Sequence, residues 1–123
     1  MNQTKYIFIV GSSRSGTTMI SRVLNQHHLV HTFKEIHFFS QIYSSRKKDH
    51  ISAKKAIEIM NVLLMRQEFG LFQNKKNKNK FSKISNSILS VNMDYTYFDV
   101  FQKFIDYILL EKNKKIACLH TTN

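Results

Sequence analysis

The chain has 123 residues and a formal net charge of +11, from 19 Lys and Arg against 8 Asp and Glu. With 42% hydrophobic and 22% charged residues it has ordinary globular usage, which argues against wholesale disorder, and the absence of Pro excludes collagen-like and Pro-rich linker classes. A single cysteine, Cys118, excludes an intramolecular disulfide framework and a four-cysteine zinc site.

The first element in the chain is a strand. Lys5 to Val10 is a β-branched and aromatic run of the length expected for a strand buried on both faces, and Gly11 ends it. The same stretch is too short for a signal-peptide core, and no run approaches the ~20 apolar residues that span a bilayer. The cytoplasm is the expected location. From Thr17 onward Met19, Ile20, Val23 and Leu24 recur at helical spacing, with a stop at residues 25–28, and Leu29 to Phe33 reads as a second short strand. Strand, helix and strand at these lengths predict a βαβ unit with parallel pairing.

Ile36 to Tyr43 is apolar and aromatic, either a short helix or an irregular segment. Ser52 is placed to cap a long helix whose stripe is Ala53, Ala56, Ile57, Met60, Leu63 and Leu64, with Gly70 as its stop. Residues 73–83 form a basic stretch, almost without apolar side chains over 73–80, and read as an exposed loop. Asp94 is the expected cap of a further helix that buries Phe98, Phe101, Ile105, Ile108 and Leu109. Lys115 to Leu119 reads as a third strand. The pattern predicts an α/β, P-loop-like three-layer fold, with a small parallel sheet flanked by three or four helices. So small a sheet is expected to leave apolar surface on its last strand and on the long helices.

Chemistry concentrates in Gly11-Ser12-Ser13-Arg14-Ser15-Gly16-Thr17-Thr18. Its glycines have the spacing of the nucleotide phosphate loop, G-x-x-x-x-G-K-[ST], between a strand and a helix as the mechanism requires. Backbone N–H groups of such a loop wrap a phosphate, and the helix that follows points its positive end at the anion. Thr17 stands where that loop has its Lys, which disfavours ATP or GTP hydrolysis. Arg14 supplies a cation from inside the loop instead.

This loop resembles that of the sulfotransferase family, which reads like R/K-S/G-G-T-T or P-K-S-G-T-T just after the first strand. Arg14-Ser15-Gly16-Thr17-Thr18 has that form. About one helix and one strand later, members related to the heparan sulfotransferases carry a segment like K-E-x-H-F-F, and Lys34-Glu35-Ile36-His37-Phe38-Phe39 is similar to it. The resemblance covers residues 6–39 well. It implies transfer of a sulfuryl group from 3′-phosphoadenosine 5′-phosphosulfate to a hydroxyl or amine of a small-molecule or saccharide acceptor, without a metal. By position Ser13, Arg14, Ser15, Gly16, Thr17 and Thr18 hold the donor, with Arg14 neutralising the leaving phosphate, and Glu35 is the base that takes the acceptor's proton. His37 is placed either to orient Glu35 or the acceptor, or as a partly buried histidine beside aromatic residues.

The family's E-K-T-P segment after the third strand is not matched by Leu119-His120-Thr121-Thr122. Its second site, an Arg and a Ser that hold the cofactor's 3′-phosphate, has no counterpart here. The expectation is the N-terminal half of such a domain, residues 1–123, as an incomplete or inactive fragment with weak cofactor binding and little turnover.

Three weaker signals remain. His27, His28, His31 and His37 fit no structural zinc spacing, so no metal is expected. Residues 41–83 carry eleven basic and three acidic side chains, whereas residues 84–123 carry four of each. Charge in one loop instead of along a helix face disfavours nucleic-acid binding, and that class ranks third. A P-loop kinase or nucleotide-binding protein that uses Arg14 in place of Lys ranks second.

Overall fold

The computed structural model describes residues 4–11, 17–34, 36, 38, 42, 50–69, 81–90 and 93–122. Three strands and four helices follow in the order β1 (Lys5–Gly11), α1 (Thr17–Leu24), β2 (Val30–Thr32), α2 (Ala53–Phe69), α3 (Ser82–Ile88), α4 (Tyr97–Lys112) and β3 (Ile116–Thr122). The chain divides into two compact units, residues 1–35 with 105–123 and residues 36–104. Helix α4 contributes its first half to the second unit and its second half to the first.

The first unit holds an all-parallel sheet of order β1-β3-β2. The expected α/β class with a small parallel sheet flanked by helices is what forms, but β1 and β2 do not pair with each other. Strand β3, more than a hundred residues after β1, lies between them, with Lys5 to Gly11 in register with Ile116 to Thr122 and Val30 to Thr32 with Ile116 to Cys118. A βαβ pattern fixes parallel sense, yet adjacency depends on a strand too distant in sequence for periodicity to reveal. As the central strand, β3 is the most deeply buried: Ala117, Cys118 and Leu119 are all inside.

Helix α1 forms from Thr17 to Leu24, where the apolar spacing puts it. Its apolar residues face outward, with Met19 71%, Val23 61% and Ile20 50% exposed, whereas Ser21 is buried and Leu24 half-buried. Small polar residues let a helix approach a sheet closely and bond to it, and here the Ser21 carbonyl accepts a hydrogen bond from Thr32 Oγ1 at 3.0 Å. Exposed apolar surface also lies on β1, at Phe8 and Val10, instead of on the last strand.

The second unit is helical. Ser52 caps α2 as expected, its Oγ accepting from Lys55 N–H at 3.1 Å and its carbonyl from Ala56 N–H at 2.9 Å. Ala56, Ile59, Met60, Leu63, Leu64 and Met65 are buried, while Ile57 is only half-buried. Gly70 and residues 71–80 lie outside the described residues. Helix α3, over the end of the anticipated basic loop, has no sequence signature. Of its seven residues only Lys83 is a good helix former, its N-cap position is Phe81, and no side chain caps it. Packing and one buried polar bond hold it: Phe81 and Leu89 are buried, and Ser85 Oγ donates to Asn61 Oδ1 on α2. Ile36 and Phe38 are buried as well, with Phe38 stacked on Phe101 at 4.3 Å between ring centroids. The rest of 36–43, apart from Ile42, lies outside the described residues.

Helix α4 starts on Thr96, not on Asp94. Thr96 Oγ1 accepts from Asp99 N–H at 3.1 Å while Asp99 Oδ2 accepts from Thr96 N–H at 3.0 Å, a reciprocal capping box. Starting there, the helix buries Val100, Phe101, Phe104, Ile105, Ile108 and Leu109 and turns Phe98 out, 54% exposed. We expect Thr96→Ala to cost about 1 kcal/mol in urea unfolding and Asp94→Ala to leave the midpoint in place. Equal losses from both would assign the cap to the wrong residue.

Candidate functional site

The carboxyl ends of parallel strands open onto the ligand crevice of α/β sheets. Here β1 ends at Gly11, which is in register with Thr122 at the end of β3. After five intervening residues α1 begins at Thr17, with no acidic residue in its first turn. The positive pole of α1 is therefore not neutralised by its own side chains. Thr17 and Thr18 are the first two residues of the helix. Ser13, Arg14, Ser15 and Gly16 fall outside the described residues, as do Glu35 and His37. The residue types between Gly11 and α1, three serines, an arginine and a glycine, supply donors and one positive charge and no acceptor anion. That donor set fits a phosphate-like anion and fits a cation poorly.

A polar cluster beneath α1 holds it against the sheet. Besides the Thr32 Oγ1 bond to the Ser21 carbonyl, Thr32 N–H donates to Asn25 Oδ1 at 2.9 Å, and Phe33 N–H donates to the Cys118 carbonyl at 2.9 Å. Burial pushes the Cys118 thiol above its ordinary value, and a side-chain hydrogen bond with Thr32 pulls the other way. Cys118 is thus a small, protonated core residue, with no exposed thiolate for chemistry. Sequence reasoning passed over Ser21, Asn25 and Thr32. The available signal was spacing: Thr17, Ser21 and Leu24 fall on one helix face, at i, i+4 and i+7.

Beyond Thr32, Phe33 is buried and Lys34 is exposed, so the chain surfaces just before Glu35. Among the described residues, no three His, Cys, Asp or Glu side chains are grouped to hold a metal ion, and no helix is long and apolar enough to cross a membrane. His27 and His28 stack on each other, and His31 sets its ring edge-on to Phe33 at 5.0 Å.

His31 is held below its ordinary 6.5 by burial and then by the charges of Lys112 and Lys114. The folded state therefore takes up this proton later than the unfolded chain. The contribution to stability is complete above 6.5 and is lost as the pH falls below it. The urea midpoint should drop as the pH is lowered through that window, and His31→Gln should show a smaller drop. An identical pH dependence in the variant would remove His31 as the cause.

The profile of the sulfotransferase family matches residues 6–113, from β1 to the end of α4. No curated protein and no solved structure matches the chain.

Proposed function

We propose, on the premise that the chain belongs to the sulfotransferase family, that the carboxyl end of its sheet binds 3′-phosphoadenosine 5′-phosphosulfate and directs sulfuryl transfer to a hydroxyl or amine. The acceptor is a small molecule or a saccharide. One observation carries the reading: strand β1 ends at Gly11 in register with Thr122, and α1 opens at Thr17 with no acidic residue in its first turn, bracketing Ser13-Arg14-Ser15-Gly16 in the chain.

The chain's own residues divide the work by chemistry. Gly16, Thr17 and Thr18 present backbone N–H groups, and a glycine lets a phosphate approach the backbone closely. Ser13 and Ser15 add hydroxyl donors. The Arg14 guanidinium stays charged at any working pH and offers a planar fork suited to phosphate oxygens. It replaces the lysine of nucleoside triphosphatases and neutralises charge that builds on the leaving phosphate oxygen. The bound donor supplies a sulfuryl group attached to a phosphate leaving group. Glu35 accepts the proton that the acceptor's oxygen or nitrogen gives up as it bonds to sulfur.

Isothermal titration with adenosine 3′,5′-bisphosphate separates these roles. Arg14→Ala should weaken binding by about tenfold to a hundredfold, the loss of one charge-assisted hydrogen-bonding group. Glu35→Ala should leave the affinity nearly intact. Unchanged binding in Arg14→Ala, or tighter binding of ATP–Mg²⁺ than of the bisphosphate, would overturn the assignment.

A further inference from the structure

We propose that the amino end of the sheet is a second anion-binding surface and takes single-stranded nucleic acid, with phosphates on Lys5, Lys112, Lys114 and Lys115 and bases against the exposed rings beside them.

In a parallel sheet all strands begin at one end, and here those beginnings are basic. Lys5 opens β1, Lys115 directly precedes β3, and His27 and His28 lie just before β2. Register brings the three starts together: Ile116 is opposite Lys5 on one side and Val30 on the other. The leads into β2 and β3 are stitched, since Lys115 N–H and Ile116 N–H both donate to the Leu29 carbonyl at 2.9 Å. Lys114 Nζ donates to the His28 carbonyl at 2.8 Å.

The turn after α4 keeps the lysines close. Asn113 has φ 55°, a left-handed conformation that asparagine tolerates, and the helix closes with Lys114 N–H on the Leu109 carbonyl and Asn113 N–H on the Leu110 carbonyl. Their charge is offset only in part: Asp106, which accepts from the Thr4 hydroxyl, and Glu111, bonded to Tyr107, set two carboxylates against four lysines, and Lys112 and Lys114 both depress His31. A count of charges along residues 84–123 comes to zero and conceals this convergence. The surface lies at the other end of the sheet from Gly11 and Thr122, so it is separate from the proposed donor site.

Charge alone would take any polyanion, and the rings decide the class. His27 and His28, beside the carbonyl that Lys114 Nζ bonds, are exposed and stack at 4.7 Å; Tyr6 and Phe8, on the face of β1 opposite Lys5, stack at 5.8 Å, with Phe8 58% exposed. Stacking of a base on such a ring is worth ~1–3 kcal/mol. A sulfated polymer offers charge but no base.

The test is fluorescence anisotropy with labelled oligothymidylate of about twelve nucleotides, within the reach of one small domain. Affinity should fall steeply with salt. Replacing Lys5, Lys112 and Lys115 together with Gln should weaken binding and reduce the log–log salt slope by about two, at ~0.7 per phosphate contact. His27→Ala with His28→Ala should weaken binding about tenfold with the slope unchanged. Dextran sulfate of matched charge should compete poorly. Competition by dextran sulfate as strong as by oligothymidylate would overturn the proposal. So would binding that survives the triple lysine variant but is lost when Lys75, Lys76, Lys78 and Lys80 become Gln. Arg14→Ala should leave this binding unchanged, which keeps it independent of the donor site.

Discussion

Pairing of β1 with β3 is the constraint on which the first unit depends. Seven residues at the start of the chain run parallel and in register with seven at residues 116–122, and β2 attaches to the far side of that same strand. Closing so long a loop costs chain entropy that local contacts cannot recover. The compensation is burial: Ala117, Cys118 and Leu119 become interior, and the ends of the two long strands are brought level at Gly11 and Thr122. Without β3 that end would hold only a strand followed by a short helix.

The same pairing gives the sheet two ends of different chemistry. Level with Ile7 and Cys118, the bonds of Thr32 to the Ser21 carbonyl and to the Asn25 side chain tie α1 to the sheet, and the Thr17 end of that helix, which follows the carboxyl end of β1, carries its positive pole. A helix dipole is worth only about 0.3–1 kcal/mol to a nearby charge at the surface, so it orients an anion but does not hold one unaided. Arg14 is therefore essential to the donor-site reading, because it brings the only full positive charge in the segment between Gly11 and Thr17. At the amino end the positive charge comes from four lysines gathered from two distant stretches of chain.

Much of this was legible in the residues. The three strands fall within a few residues of where β-branched runs put them, Ser52 caps α2, and the family follows from loop and K-E-x-H-F-F segments, with the family match over residues 6–113 agreeing. What failed did so for identifiable reasons. Apolar spacing marked Met19, Ile20 and Val23 as helical but not which face turns inward, and the inward face proved to be small and polar. Asp94 and Thr96 are both credible caps in sequence; only Thr96 has an acceptor partner three residues on, in Asp99. Helix α3 rests on tertiary contacts that no local propensity encodes. The proposed donor segment is legible in sequence alone, since Ser13 to Gly16 and Glu35 lie outside the described residues.

Backbone amide resonances offer the most direct examination of the proposed phosphate cradle. On titration with adenosine 3′,5′-bisphosphate, the largest shifts should fall on Gly11 to Thr18, led by the amides of Gly16, Thr17 and Thr18 and the Nε–H of Arg14. Shifts confined to Lys112–Lys115 or to residues 75–83, with the amides from Gly11 to Thr18 unmoved at saturation, would contradict the account.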